Sequence, residues 1–294
     1  VAIFVDMADF LPSELVITPE GGVYHLGITP DQLAEKVIIV GDQDRVEVVS
    51  GFFDEITHKS QHREFACHTG KYKGKKISVI SSGIGTDNID IVLNELDALV
   101  NIDLSTRNEK QDKRTLDIIR IGTCGILQDD IPVDSFILST HALGIDNVGH
   151  FYERDVDVAT QTLLNDIIEK IDLPETITPY MTPASRSINE RLRSDIVEEG
   201  ITVTSSGFYG PQGRKLRLGL TAPTMLDSFH DFTHPDCRFS NLEMECSALF
   251  ALSSALGHNA TAICLGLANR RKKEFTKNYE TKIVELIEYV LDRI

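Results

Sequence analysis

The sequence predicts an α/β fold built on one continuous sheet, and three observations predict it. Val37-Ile38-Ile39-Val40, Ile77-Ser78-Val79-Ile80 and Asp117-Ile118-Ile119-Arg120-Ile121 have the length and β-branched content of buried parallel strands. Glycines follow each run, at Gly41, Gly83 and Gly122, near the strand ends where open α/β sheets bind ligands. Helical periodicity fills the space between, best developed in Ile89, Val92, Leu93, Leu96, Leu99 and Val100. A chain of 294 residues is long for one domain, yet α/β folds of this length often keep a single sheet.

Taken in order, residues 1–24 read as an irregular N-terminal arm, marked by Pro12, Pro19 and Gly21-Gly22, and residues 25–294 as one domain. Tyr24-His25-Leu26-Gly27-Ile28 leads to the strand at Val37. Gly41-Asp42-Gln43-Asp44-Arg45 then opens a helical pattern. It sets backbone N–H groups and a guanidinium at one sheet edge, suited to an anion, although Asp42 and Asp44 suit a helix cap with Arg45 as surface partner equally well. Next, Ser60-Gln61-His62-Arg63-Glu64-Phe65 is a polar cluster that by composition alone is a solvated edge, and Lys73-Gly74-Lys75 turns a hairpin into the strand at Ile77. The turn Ser81-Ser82-Gly83-Ile84-Gly85 lacks the third glycine and the later acid of a dinucleotide fingerprint, so a nicotinamide dehydrogenase is the weakest option. Residues 101–115 are charged and aperiodic, as in a surface loop or helix extension.

After Ile121 the Gly122-Thr123-Cys124-Gly125 stretch is expected to turn sharply. Arg120 inside an apolar run needs an anion or a carboxylate; the Thr123 hydroxyl and nearby N–H groups would suit phosphate, and a core acid is the alternative. Ile131 to Thr140 reads as a turn into a strand, and helical faces appear at Leu163 to Ile171 and from Ile188 to Val197. The strand Ile201–Thr204 ends in a glycine-rich loop. There Phe208 can stack on a planar ring while Gln212 and Arg214 read the edge of an oxo-substituted heterocycle, or Phe208 can plug the core with the polar pair in water. Asn241 to Cys246 is expected to open a helix, where Glu243 and Glu245 either favour the helix dipole or accept the two hydroxyls of a sugar diol. The strand Ala260–Leu267, the run Ala268-Asn269-Arg270-Arg271-Lys272-Lys273 and an amphipathic helix to Leu291 close the chain.

Composition excludes several partners. A net charge of −16 opposes nucleic acid and anionic membranes, which need basic faces, so an anionic substrate requires a local arginine cluster. No apolar run is long enough to cross a bilayer. The start Val1-Ala2-Ile3-Phe4-Val5-Asp6 has no basic cluster before its acid, so no signal peptide is expected, although the chain begins without Met and its true start is expected upstream. Five cysteines, odd in number and without CxxC or zinc spacing, read as reduced thiols of a cytoplasmic protein.

In their order, His25-Leu26-Gly27, Gly41-Asp42 with Arg45, His62-Arg63-Glu64-Phe65, Arg120-Ile121-Gly122-Thr123, Phe208-Tyr209 with Gln212 and Arg214, and Glu243-Met244-Glu245 resemble the nucleoside phosphorylase superfamily, and within it the uridine-cleaving branch. The resemblance implies a three-layer sandwich with a mixed central sheet flanked by helices. It implies phosphorolysis of uridine, with deoxyuridine or thymidine as further substrates, to free base and (deoxy)ribose 1-phosphate. Inorganic phosphate is then the co-substrate, with no cofactor and no metal. Phosphate would be held by Gly41, Arg45, Arg120 and Thr123, with Arg63 reaching in from a neighbouring subunit. Ribose would meet Thr123, Glu243, Met244 and Glu245, with His25 supplied across a dimer interface. Gly125, Phe208, Gln212, Arg214 and Arg270 would surround the base, and Arg214, Gln212 and Arg120 would carry the chemistry. The implied assembly is a homodimer or a hexamer of dimers. Where the purine-specific branch has an acid after its last strand, this chain has Ala268-Asn269. A nucleosidase of the same fold and a non-catalytic nucleoside sensor are the alternatives.

Overall fold

The computed structural model describes residues 9–294; the start of the arm, with Val1 to Asp6, lies outside the described residues. The first half of the chain gives β1 (Lys36–Val40), α1 (Gln43–Ser50), β2 (Glu55–His62), β3 (Phe65–Tyr72), β4 (Lys75–Ser81), α2 (Thr86–Asn101), β5 (Ile102–Asp103), β6 (Asn108–Glu109), β7 (Asp117–Ile126) and β8 (Phe136–Gly144). The second half gives α3 (Val158–Ile168), β9 (Tyr180–Pro183), α4 (Arg186–Leu192), β10 (Val197–Thr204), α5 (Met225–Asp231), β11 (Phe239–Glu243), α6 (Cys246–Ala255), β12 (Asn259–Asn269), β13 (Glu274–Phe275) and α7 (Tyr279–Leu291).

Successive side chains of a strand point to opposite faces, and β1 shows what that does here. Val37 and Ile39 join a core with Leu93 and Leu96 of α2 and Leu249 and Leu252 of α6. Ile38 and Val40 face the other way, onto Val46 of α1, Ile188 of α4 and Leu286 and Ile287 of α7. Both faces of the strand are therefore covered, which is the layered α/β sandwich expected. A third core around Phe229, Phe232 and Phe239 lies where α3 and α5 cover β8, β10 and β11.

The sheet has 11 strands and is mixed. β1 runs parallel to β4 and β7, and β10 runs parallel to β8 and β11. β12 pairs parallel with β7 and antiparallel with β8, and β11 meets β7 antiparallel. The strands β12, β8, β10, β11 and β7 thus pair in a closed ring, from which β1, β4, β3 and β2 extend as an open sheet. β11 and β7 share only the pairs Asn241↔Ile126 and Leu242↔Gly125, so their C-terminal ends meet. The site is built there.

The structure corrects four local expectations. Gly122 and Gly125 do not turn the chain: β7 continues to Ile126, because β12 pairs with it along its whole length. A Cβ on Gly122 would lie 2.9 Å from Cys264 Sγ and 3.0 Å from Arg120 Nη1, so the glycine serves close packing rather than a turn. Glu243 ends strand β11 instead of opening a helix, and α6 begins only at Cys246. Within residues 101–115, Ile102 to Glu109 form the small β5–β6 hairpin, and only residues 110–115 are the surface loop expected. Helix α4 stops at Leu192, and Val197 already belongs to β10, so the apolar pattern from Ile188 spans two elements. Within the arm, Phe10 and Leu15 pack on the α2–α6 core, and Arg107 donates to the Leu15 carbonyl at 2.6 Å. No helix among the described residues is long and apolar enough to cross a membrane.

Candidate active site

A cleft of about 760 Å³ opens where β1, β4, β7, β10, β11 and β12 end. Its walls include Gly41, Arg45, Arg120, Thr123, Gly125, Phe208, Gln212, Arg214, Glu243, Met244 and Glu245. Residues separated by some 200 positions in the chain are thus gathered because each follows or ends a strand of one sheet. His25, Arg63 and Arg270 are not among the lining residues.

Arg120 is buried at the floor. On β7 it shares a face with Ile118, which packs in the α2–α6 core, so its guanidinium emerges at the start of α6. There Nη2 contacts Glu245 Oε2, and Nε lies 3.6 Å from Glu243 Oε2. Both readings of Arg120 therefore bear on it: it has core carboxylate partners, and its Nε and Nη1 still have no hydrogen-bond acceptor among the described residues. Burial opposes its charge, but Glu245 and then Glu243 outweigh that and hold the guanidinium above its ordinary value. Arg45 is similar. Its Nη2 donates to the Tyr279 hydroxyl at 2.9 Å, while its buried Nε has no acceptor among the described residues. Asp42 caps α1 by accepting from Asp44 N–H at 3.0 Å, as expected, without pairing to Arg45.

The two acids differ. Glu245 Oε1 accepts from Gly85 N–H at 2.7 Å, which ties the N-terminal end of α2 to the cleft. Glu243 is surrounded by donors: the Thr204 hydroxyl to Oε1 at 2.6 Å, Glu245 N–H to Oε2 at 2.8 Å, and Cys246 N–H to both oxygens. Burial and the nearby Glu245 push its carboxyl above the ordinary value, and Arg120 and Thr204 offset that only in part. Three donors making four contacts with one group describe a carboxylate, since a protonated acid would turn a proton toward them.

At the other end, Arg214 stacks over the Phe208 ring with its guanidinium carbon 3.8 Å from the centroid, and its Nη1 donates to the Phe208 carbonyl at 2.6 Å and to Gln212 Oε1. Phe208 is half exposed at the cleft wall, so it does not plug the core. Arg270 stands behind this pair: its Nη2 donates to the Gln212 carbonyl at 2.6 Å. Burial and then repulsion from Arg214 bring Arg270 down to about 10. Asn269 is turned away, donating to the carbonyls of Gln128 at 2.9 Å and Ile131 at 3.4 Å.

Cys124, between Thr123 and Gly125, packs with Ile126, Ile131, Ile137 and Cys264. Burial raises it well above the ordinary thiol value, so it is a neutral side chain at the cleft wall. His25 and Arg63 lie together elsewhere. His25 Nδ1 is 2.6 Å from Glu95, and the Arg63 guanidinium sits 5.8 Å from the Tyr24 ring, whose edge meets His25 and His62. Arg63 holds φ at +54°, a left-handed conformation that is uncommon for a side-chain-bearing residue.

Sequence reasoning missed Glu64, Ile84, Leu267 and Phe275 of the cleft wall. Gly83-Ile84-Gly85 carried a signal, being a glycine turn at a strand end; Phe275, on a two-residue strand, carried none.

Among the described residues no cluster of three His, Cys, Asp or Glu is arranged for a metal ion. Fold and cleft together describe the class: an α/β protein with a cleft at its strand ends, arginine-floored and aromatic-walled. Within that class the chain belongs to the phosphorylase superfamily, whose family model matches residues 35–293. It is 30% identical over 268 residues to a uridine phosphorylase of Thermococcus kodakarensis, covering 91% of this chain and 85% of that one. A DeoD-type purine nucleoside phosphorylase of Colwellia psychrerythraea is 24% identical, covering 92% and 98% of the two chains. A solved Trypanosoma brucei nucleoside phosphorylase, described as showing uridine phosphorylase activity, superimposes with a TM-score of 0.86 at 31% identity over 95% of this chain and 100% of that one.

Proposed function

We propose that the protein catalyses phosphorolysis of a pyrimidine nucleoside, with uridine as the first substrate, as the Thermococcus and Trypanosoma relatives' names suggest. The observation that carries this reading is that the buried Arg120 and the half-buried Arg45 both keep buried N–H donors, Arg120 Nε and Nη1 and Arg45 Nε, without acceptors among the described residues of the cleft. A buried unpaired donor is costly, and a phosphate dianion bridging Gly41, Arg45, Arg120 and Thr123 satisfies both.

In this reading ribose lies over Met244 and Thr123 with its hydroxyls on Glu245, and the base meets Phe208, Gly125, Gln212 and Arg214. A phosphate oxygen forms a bond to the anomeric carbon as the bond to pyrimidine N1 breaks, through an oxocarbenium-like transition state. The electron pair of the broken bond moves onto the pyrimidine. Arg214 and Gln212 stabilise that negative charge, and the base takes its proton from water. Asn269, engaged with two carbonyls, offers no acid to a purine leaving group, which favours pyrimidines. Arg270 acts from behind by holding the Gln212 backbone. His25 and Arg63 complete the site of a neighbouring copy, so the working unit is a homodimer, alone or within a hexamer.

The test is a panel of nucleosides incubated with and without phosphate, following free base and sugar 1-phosphate. Uracil and ribose 1-phosphate are expected, and only with phosphate. Uracil release in phosphate-free buffer means a nucleosidase, and binding of uridine without release of base means a sensor.

A further inference from the structure

We propose that Thr204 is a positioning residue for this reaction: its hydroxyl, aimed by a neighbouring backbone N–H, holds Glu243 in place beneath Arg120. Thr204 ends β10 and stands directly beside Glu243, the last residue of β11, in the parallel register of those strands. It is fully buried. Ser247 N–H donates to Thr204 Oγ1 at 3.0 Å, so one lone pair of the hydroxyl is occupied and its single proton is directed onto Glu243 Oε1, 2.6 Å away.

Ser247 is itself fixed. Its hydroxyl donates to Asp146, which also accepts from the Tyr180 hydroxyl at 2.8 Å and from Val148 N–H at 2.8 Å. A chain of hydrogen bonds therefore runs from Tyr180 and Asp146, through the first turn of α6, to Thr204 and Glu243. The hydrogen bonds end at Glu243, and the last link to Arg120 is an ion pair, with Nε 3.6 Å from Glu243 Oε2. Without the hydroxyl, Glu243 loses a donor in a site where burial already opposes its charge, and a neutral Glu243 no longer balances Arg120. The charged and titratable groups facing Glu243 are Arg120 and Cys124 from β7, Glu245 from the turn and Cys246 from α6; burial raises both thiols, which therefore stay neutral, leaving Arg120 and Glu245 as the opposing influences.

This inference rests on the phosphorolysis reading for its kinetic arm only. In that arm Thr204→Val, of equal size but without the hydroxyl, is compared with Thr204→Ser. Thr204→Val is expected to lower kcat/KM by about 10-fold or more, the usual effect of losing a hydrogen bond to a charged group. Its acid limb in the pH profile moves to higher pH, and Thr204→Ser restores both. Unchanged limbs in Thr204→Val overturn the proposal even if activity falls, because a merely structural loss would not move them. The second arm needs no turnover: in protein carrying 13C-labelled glutamate carboxyls, with Glu243→Gln for assignment, Glu243 of the wild type is expected to be ionised at neutral pH. A protonated wild-type Glu243 overturns the proposal whether or not any variant folds. Absence of phosphorolysis in the wild type, with Glu243 ionised, removes the proposed function and leaves the Thr204 contact standing.

Discussion

Arg120 shows how much one residue can announce and how much it cannot. Its position in an apolar strand demanded a partner, but the partners lie more than 120 positions away, and nothing local named Glu243 or Glu245. The same strand held a glycine whose purpose was misread from sequence, since a missing side chain signals a turn and a tight contact alike. Gly122→Ala is expected to destabilise by about 1–3 kcal/mol through overpacking against Cys264 and Arg120. It is also expected to raise the KM for phosphate as the guanidinium shifts; thermal unfolding and initial rates at varied phosphate read the two effects. Arg214→Ala is expected to lower turnover by about 10²- to 10³-fold, the range for removing one transition-state charge stabiliser, with a much smaller change in the KM for nucleoside. A raised KM with unchanged kcat would assign Arg214 to ground-state binding instead.

At the scale of elements, strands with unbroken β-branched runs and helices with a clear apolar stripe were legible: β1, β4, α2 and α7 lie where the pattern put them. Boundaries failed where tertiary pairing overrode local cues. β7 ran on because β12 lay beside it, and Leu242-Glu243 became strand because β10 offered a free neighbour. Helix α6 carries the layer beneath Glu245, with all of Cys246 to Ser253 buried. Leu249→Ala on it is expected to cost about 2–5 kcal/mol, the range for a buried leucine replaced by alanine. A loss below 1 kcal/mol in denaturant unfolding would mean that the α2–α6 layer does not hold this face together.

For the whole molecule, the layered mixed sheet and the region of the cleft were foreseen, whereas the ring closure was not, because strand order leaves no mark on residue spacing. His25 and Arg63, read as contributions from a second copy, lie outside their own chain's cleft. Mixing inactive Arg63→Ala and Arg120→Ala proteins is expected to regain about a quarter to a half of wild-type sites once subunits exchange, because in a shared site both defects fall together in one cleft of each hybrid pair. No recovery after verified exchange would assign each site to one chain. Protonation also acts globally: burial lowers the His141 value below the ordinary 6.5, and Asp157 opposes only in part. The unfolded chain then binds this proton first as pH falls. His141 therefore contributes stability above pH 6.5 that is lost on acidification, at no more than roughly 1.4 kcal/mol per pH unit. A shallower pH dependence of the melting temperature in His141→Gln between pH 7 and 5 checks this.

The ring formed by β12, β8, β10, β11 and β7 has a kinetic consequence. Strands joined on both sides cannot hinge apart without breaking several ladders at once, so the walls bearing Arg120, Thr204 and Glu243 behave as a fixed frame. Motion that admits substrate and frees product is left to the segments hung on that frame, chiefly residues 207–224 and 270–275, where Leu216, Leu218 and Phe275 are exposed. Amide hydrogen exchange should accordingly divide the molecule in two, with slow exchange around the ring and fast exchange in these segments, and solvent viscosity should slow turnover through them.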